Sequence, residues 1–420
     1  MRIAEQLPFK HDTASASLKE RDIKPKEGPL AFRTIRDLDE LEALRWIWKS
    51  WPGSRDSDPD FFSGMVRSRG GGCLPHVIVV SRNGEPEAIL VGLRERRKMP
   101  FKMGCFTICR PELNVLEFVQ GALRGNGSEE NSAALVREVI KSLAAGAGDL
   151  AVWKRLDVES PLYKCAVRFP SFALRDHSRC INEHWWLTHL PETLDALFMS
   201  KGHSQRSKLR RKFKNVLSRL AGEAQIRCFR SPADLGLAIS DMEEIASKTD
   251  KRQVFGVGFF DTPQIRQRMA LAAAKEWLRI YILYMEKKPA AFWMGTIYEG
   301  CLQGDHVGYD TVWSTFSPGI FLFLNILNEL RDEDIKIADV GCGYGQLQQC
   351  LGDLRRLESQ VEIYAPTMRG VGLNVLRTVI HRATEFLKLL LRRTCYMWAR
   401  KVLWNEHARL RRTNVADHMM

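Results

Sequence analysis

"DVGCGYG" occupies residues 339–345. An apolar run ends in an acid, and alternating glycines follow, which let backbone come close to a ligand. As the nucleoside-binding turn of a doubly wound parallel sheet, this segment must close a first strand, with several strand–helix units behind it. Glu362 follows at about the 20-residue spacing at which such folds place an acid against a ribose. Too little chain remains beyond Gly345 for those units, and most of it reads as one long helix. The segment therefore ends a domain, and the residues ahead of it decide which kind.

Immediately upstream lies "GYDTVWSTFSPGIFLFLNIL" (308–327). It reads as a strand ending near Tyr309-Asp310, a Ser/Pro/Gly turn and a buried helix. Pro318 suits the first helical turn, where its missing N–H costs little. Ser317 can cap the helix, and Gly319 leaves room for a ligand. The free amides of such a helix start suit a diphosphate. An ordinary capped helix has the same pattern, because strand–turn–helix units are common to many functions.

Further back, "AQIRCFR" (224–230) reads as a strand, and "PADLGLAISDMEEIASKT" (232–249) and "PQIRQRMALAAAKE" (263–276) as helices. "WLRIYILYMEKKPAAFWMGTIYEG" (277–300) gives two strands about a Lys287-Lys288-Pro289 turn, and "CLQGDHVGYDTV" (301–312) gives another. "KIADVG" (336–341) and "VEIYAP" (361–366) are the last strands. The earlier part repeats the theme. "LDELEALRWIWKSW" (38–51) is an amphipathic helix, and "HVIVVSRNGEPEAILVGLRER" (76–96) is a hairpin signalled by Asn83-Gly84. "EENSAALVREVIKSLAAG" (129–146) is a helix that stops at glycine, and "DLAVWKRLD" (149–157) is a strand. The expected class is α/β with mixed sheets, in two similar domains. The segments are a polar tail (1–28), a first domain (29–190), a second (191–365) and a basic amphipathic helical extension (366–420).

The 420 residues allow two or three domains, and 45% hydrophobic with 27% charged residues is ordinary for a soluble chain. No run of about 18 apolar residues is present, and the N-terminus lacks the apolar segment of an export signal, so a cytoplasmic location is expected. Ten cysteines show neither a CxxC pair nor a Cys/His metal spacing; reduced thiols and no metal are expected, with Cys342 inside the glycine segment the one to follow. The net charge of +13 points to an anionic partner.

Much of that charge lies in "KGHSQRSKLRRKFKNVLSRL" (201–220) and after Gly370. Lys208, Arg210, Arg211, Lys212, Lys214 and Arg219 cover most faces of the first stretch, which is either solvated surface or the seat of an anionic acceptor. No nucleic-acid motif accompanies them, and no nucleic-acid partner is expected. In "VLRTVIHRATEFLKLLLRRTCYMWARKVLW" (375–404), Val379, Ile380, Phe386, Leu387, Leu390 and Trp398 share one side of a helical wheel. Arg377, Arg382, Lys388, Arg392, Arg393 and Arg400 share the other. Such a helix suits the inner face of an anionic membrane, or else packs on its own domain or on a twin subunit in a homodimer.

Three stretches in order resemble the GNAT acyltransferases, and within them the Fem/CelD-like or BioF2-like acetyltransferase group. They are the basic helix with its following strand (204–228), the Tyr-Asp, Pro-Gly and helix series (307–330) and the closing "IKIADVGCGYGQLQQCLGD" (335–353). That group usually carries Tyr-Lys just after the glycine segment; Leu347-Gln348 stand there instead. The resemblance implies tandem GNAT-like domains and an N- or O-acyltransferase that uses acetyl-CoA or another acyl-CoA. It places Ser317, Pro318, Gly319 and Ile320 at the cofactor diphosphate. Asp310 would be the catalytic base and Tyr344 the acid, while Asp339 orders the glycine segment. The implied acceptor is a small molecule or a glycan- or lipid-linked intermediate of an envelope or polysaccharide pathway. The alternatives are a non-catalytic binding module on the same fold, favoured by Leu347-Gln348, and an S-adenosylmethionine-dependent methyltransferase.

Overall fold

Three two-residue turns set the sheet. Asn83-Gly84 (φ 52°, 84°), Glu286-Lys287 (51°, 63°) and Glu299-Gly300 (48°, 72°) have both central residues left-handed. This is the hairpin whose twist matches that of its strands. They are closed by the pairs Arg82↔Glu85, Met285↔Lys288 and Tyr298↔Cys301. The second turn lies ahead of the expected Lys287-Lys288-Pro289, because Pro289 is already paired with Tyr284 inside the next strand.

The computed structural model describes residues 28–394 apart from 104–105, much of 189–223, Asp334 and 343–350. The first half runs β1 (Leu30–Ile35), α1 (Leu38–Glu42), α2 (Arg45–Ser50), α3 (Pro59–Ser68), β2 (Cys73–Pro75), β3 (Val77–Arg82), β4 (Glu85–Lys98), β5 (Phe101–Met103), β6 (Phe106–Cys109), β7 (Glu112–Gly125), α4 (Glu129–Ala144), β8 (Leu150–Asp157), α5 (Pro161–Arg168) and β9 (Ile181–Leu187). The second half runs β10 (Ala224–Phe229), α6 (Leu235–Ser247), α7 (Asp250–Phe255), α8 (Pro263–Ala274), β11 (Leu278–Met285), β12 (Lys288–Tyr298), β13 (Cys301–Tyr309), α9 (Pro318–Glu329), β14 (Ile337–Cys342), β15 (Leu354–Tyr364) and α10 (Met368–Thr394).

The fold is mixed α/β, with one 13-stranded sheet in the order β1-β3-β4-β7-β8-β15-β9-β14-β13-β12-β11-β10 and β2 beside β4. From either end the order is the same: an antiparallel meander of four strands and then a parallel fifth, β8 beside β7 and β14 beside β13. The repetition is the tandem architecture expected from the sequence. At the centre the halves trade strands. β15, from late in the chain, lies antiparallel against β8, and β9, from the first half, lies antiparallel against β14. The traded strands pair with each other. A buried polar cluster ties this junction, with His184 Nε2 2.6 Å from Asp339 Oδ1 and Arg155 Nε 2.7 Å from Glu358 Oε2.

This topology overturns the methyltransferase alternative. β14, which carries the start of the glycine segment, has an antiparallel neighbour and sits inside a mixed sheet. Glu362 is buried on β15 and pairs with Arg377 at 2.8 Å, so it faces no ribose site.

The second half is layered on both faces of its sheet. On one, Phe321, Leu322, Phe323 and Leu324 of α9 pack on Tyr281, Trp293 and Leu302. On the other, α6 and α8 pack through Met242, Ile245 and Met269 on Ile280, Phe292 and Met294. α9 is apolar nearly all round, as a helix buried on most sides must be.

The C-terminal helix α10 docks on the first half. Asn374 donates to the carbonyls of Ala173 and Arg175 (2.8 and 2.9 Å), Arg377 reaches Glu362, and Ile380 is buried. The wheel placed Ile380 and Arg377 on opposite sides, yet both point inward, because a buried carboxylate draws the arginine down. Val379, Phe386 and Leu387 face outward. Trp398 and Arg400 lie outside the described residues, as do the side chains of Leu390, Arg392 and Arg393.

Candidate active site

β13 meets β14 only at Cys301↔Ile337 and Leu302↔Ala338. Beyond Leu302 the pairing stops, and from Gln303 to Tyr309 the β13 edge facing β14 has no paired strand among the described residues. In this stretch the register against β12 slips: Met294 faces His306 while Gly295 faces Gly304. Asp305 is therefore the extra residue of a β-bulge, a device that bends a strand and re-aims its side chains. Adjacent to Gly304, the acid and imidazole at 305–306 interrupt the strand, and an isolated glycine in a strand is the local sign of a bulge.

The β13 edge leads through Asp310 and a 3₁₀ turn (Thr311–Phe316) to the start of α9. Ser317 occupies the N-cap position in a left-handed conformation (φ 52°, ψ 52°), but its side chain makes no capping hydrogen bond. The expected Ser317 cap is thus absent. Its carbonyl instead accepts from the Ile320 and Phe321 N–H groups at 3.1 and 3.2 Å. Pro318 is buried at the first helical position and brings no donor. The Gly319 N–H has no hydrogen bond among the described residues. A Cβ built on Gly319 would meet nothing within 4 Å. The first turn contains no acid. A bare helix start of this kind favours an anion through its amides and dipole.

The equivalent corner in the first half is sealed. Ser128 Oγ accepts from the Asn131 N–H at 3.2 Å, and Glu129 and Glu130 occupy the first turn of α4. Beside it, Ser54 Oγ donates to the Gln120 carbonyl at 2.5 Å, and Arg124 donates to the carbonyls of Trp51 and Ser54. Two acids and a filled cap make this helix start unfavourable for an anion, in contrast to the start of α9.

Asp310 is buried with both carboxylate oxygens engaged. Oδ1 accepts from the Val312 N–H at 3.1 Å, and Oδ2 pairs with Lys248 Nζ at 3.1 Å. Asp339 Oδ1 accepts from the Gly341 N–H at 2.7 Å, where Gly341 takes φ 104°, so this acid holds the start of the glycine segment; the rest of that segment lies outside the described residues. Tyr344, Leu347 and Gln348 lie outside the described residues, as do Lys208, Lys212, Lys214 and Arg219 of the basic stretch; so does the side chain of Cys342.

On the α8 face of the bulge is a cavity of about 250 Å³ at the seam between the halves. Arg55, from the first half, reaches across to Asp305 with two hydrogen bonds (2.6 and 2.8 Å) and to Thr296 Oγ1 (2.8 Å). His306 and Arg268 line the same cavity. Burial lowers the His306 pKa below the usual imidazole value; Asp305 opposes this, while Arg268 and Arg55 add to it. Nothing in the sequence tied Arg55, in a Ser/Asp/Pro-rich loop, to residues some 240 positions away.

Residues 203–347 match the acetyltransferase (GNAT) domain family. The second half thus carries a GNAT-type domain, and the strand order repeats its layout in the first half. No curated protein matches the chain. Among solved structures, similarity extends to FemX (10% identity, 84% of this chain and 94% of that one, TM-score 0.49). It also extends to the C-terminal domain of a putative lysylphosphatidylglycerol synthetase from Agrobacterium fabrum (13%, 82% and 97%, TM-score 0.48). A tandem GNAT protein from the clavulanic acid biosynthesis pathway is similar at 11% identity (81% and 100%, TM-score 0.47).

Proposed function

We propose that the protein is an acyl-CoA-dependent N- or O-acyltransferase whose cofactor site lies in its second half. One observation carries this reading: the acid-free, uncapped start of α9 closes an unpaired strand edge, whereas its duplicate in the first half is capped and acidic. Ser317, Pro318, Gly319 and Ile320 would surround the diphosphate, with the Gly319 amide as the open donor. The β13 edge, unpaired among the described residues from Gln303 to Tyr309, offers N–H and C=O groups to an extended, amide-containing arm. When bound, acyl-CoA, with acetyl-CoA the simplest case, supplies an activated acyl group as a thioester. Asp310 holds the turn that joins the strand to α9, a positioning role that fits its two engaged oxygens. Tyr344, by its place after β14, is proposed to protonate the departing thiolate.

Calorimetric titration with coenzyme A tests the site, and micromolar affinity is the expected result. Absence of heat up to millimolar coenzyme A, where a site would be worth only about 4 kcal/mol, overturns the reading. We further propose an acceptor from an envelope or polysaccharide pathway, in keeping with the basic stretch at 201–220.

The outward face of α10 supports peripheral contact with an anionic membrane. Val379 is 59% exposed, Phe386 64% and Leu389 60%, and Arg382 and Lys388 share the helix. No helix among the described residues is long and apolar enough to cross a membrane. Truncation after Glu385 spares Asn374, Arg377 and Ile380, so the docked part of the helix survives. It should reduce co-sedimentation with phosphatidylglycerol vesicles severalfold, and unchanged sedimentation would refute the contact.

A further inference from the structure

We propose that the seam cavity receives the acyl acceptor, that Arg268 recognises a carboxylate or phosphate group on it, and that His306 takes the proton from its attacking amine or hydroxyl. This rests on the acyl-CoA reading above and adds to it the acceptor's chemical class and the proton's destination.

The two arginines at the cavity differ in what they have left to offer. Arg55 is 2% exposed and fully engaged by Asp305, Asp56 and Thr296. Arg268 is not. Its nearest carboxylate, Asp56, is 3.7 Å away, and its Nε is buried without a hydrogen-bond partner. Among the described residues its guanidinium makes no hydrogen bond; it lies over the Phe61 ring at 5.1 Å. A buried donor left unmet is costly, and a planar guanidinium meets carboxylate or phosphate in a fork that satisfies several donors together. The Arg268 side chain is 37% exposed, so water can reach its outer nitrogens, but an oxyanion in the cavity would meet the buried Nε–H and a terminal N–H together. A second cavity of about 400 Å³ lies along α3 and α8, bordered by Ser63, Gln267 and Lys275, and shares Arg268. It gives the remainder of a large acceptor somewhere to run.

His306 follows the bulge residue on the strand edge that borders the proposed acyl arm. Its ring nitrogens have no hydrogen bond among the described residues, and an edge contact with Phe259 (centroids 5.7 Å apart) supports the ring. The charged groups that act on it are Asp305 on its own strand, Arg268 on α8 and Arg55 from the first half. Burial and the two arginines keep it neutral at pH 7, ready to accept a proton. In the transfer the acceptor's nitrogen or oxygen bonds to the acyl carbon as the C–S bond breaks. The acceptor proton passes to an imidazole nitrogen of His306, and the sulfur leaves as a thiolate that is protonated in turn.

The test uses the full chain labelled with ¹³C-histidine, with the His306 resonance assigned through His306→Gln. Inorganic phosphate and acetate, added separately, distinguish the two possible headgroups. One of them should shift the His306 resonance saturably, and Arg268→Gln should weaken that response at least tenfold while coenzyme A affinity stays within about twofold. With acetyl-CoA, transfer to aminoethyl phosphate or to β-alanine should exceed transfer to ethylamine, and His306→Gln should lower kcat by about a hundredfold or more. A His306 signal indifferent to both anions, or an unaltered response in Arg268→Gln, overturns the inference. If coenzyme A still binds in that case, this inference alone falls. If coenzyme A does not bind at all, the acyltransferase reading falls first.

Discussion

Gly319→Glu should lose coenzyme A affinity by at least a hundredfold, about 3 kcal/mol, with no loss of folding stability. Position 319 is one where a side chain can be added without touching the protein, since its Cβ direction is empty to 4 Å. A carboxylate in the first turn of a helix interacts favourably with the exposed amides, so the fold gains slightly. The same carboxylate occupies the space proposed for the diphosphate and repels it. Gly319→Ala, which adds bulk without charge, should be much milder. Calorimetric titration beside a thermal melt reads both quantities. A glutamate variant that binds coenzyme A like the parent would remove the α9 corner from the mechanism.

Arg55→Met should destabilise the protein by about 1–3 kcal/mol, the range for losing charged hydrogen bonds, because Arg55 is itself buried while the carboxylate it leaves behind keeps some contact with water. Arg55 spans from the first half to Asp305 and Thr296 in the second, and its guanidinium lies 4.8 Å from the centre of the Phe61 ring. Removing it strands Asp305. Burial alone would raise the Asp305 pKa, but Arg55 outweighs burial and holds it below the usual carboxylate value. The folded pKa is therefore the lower one. The contribution of the pair is complete above the ordinary carboxylate pKa and is lost as the pH falls through the depressed value, so acid should narrow the gap between parent and variant. Urea unfolding at pH 7 and at pH 3 measures this. Asp305→Asn added to Arg55→Met should recover part of the loss. A single variant as stable as the parent would show that the seam does not depend on the pair.

The strands of the second half could be read from the sequence because their alternation and turns are local signals, and Asn83-Gly84 signalled its hairpin for the same reason. The expected helix at 38–51 breaks into two short ones at Ala43-Leu44, although the apolar spacing runs through. β7, fourteen residues from Glu112 to Gly125, escaped notice. Its buried stretch carries Glu117, whose cost of burial is outweighed by Lys154, Arg97 and Arg69, so that its pKa falls to about 2. No local pattern reports cations supplied from two other strands and the end of α3. The proposed cofactor turn was legible because Ser-Pro-Gly ahead of an apolar helix is a contiguous signal. The proposed acceptor site was not, because Arg55, Arg268 and His306 come from a loop, a helix and a bulge that only the closed sheet brings together.

The crossed placement of Ile181–Leu187 and Leu354–Tyr364 has a consequence for how such a protein can be divided. Cut near residue 190, an N-terminal fragment would keep a ribbon that belongs in its neighbour's half and leave the flank of Leu150–Asp157 bare. Naked flanks of that kind recruit other chains. Each half completes its share of the sheet only with a ribbon lent by the other, so the two are built as one body rather than as separable modules.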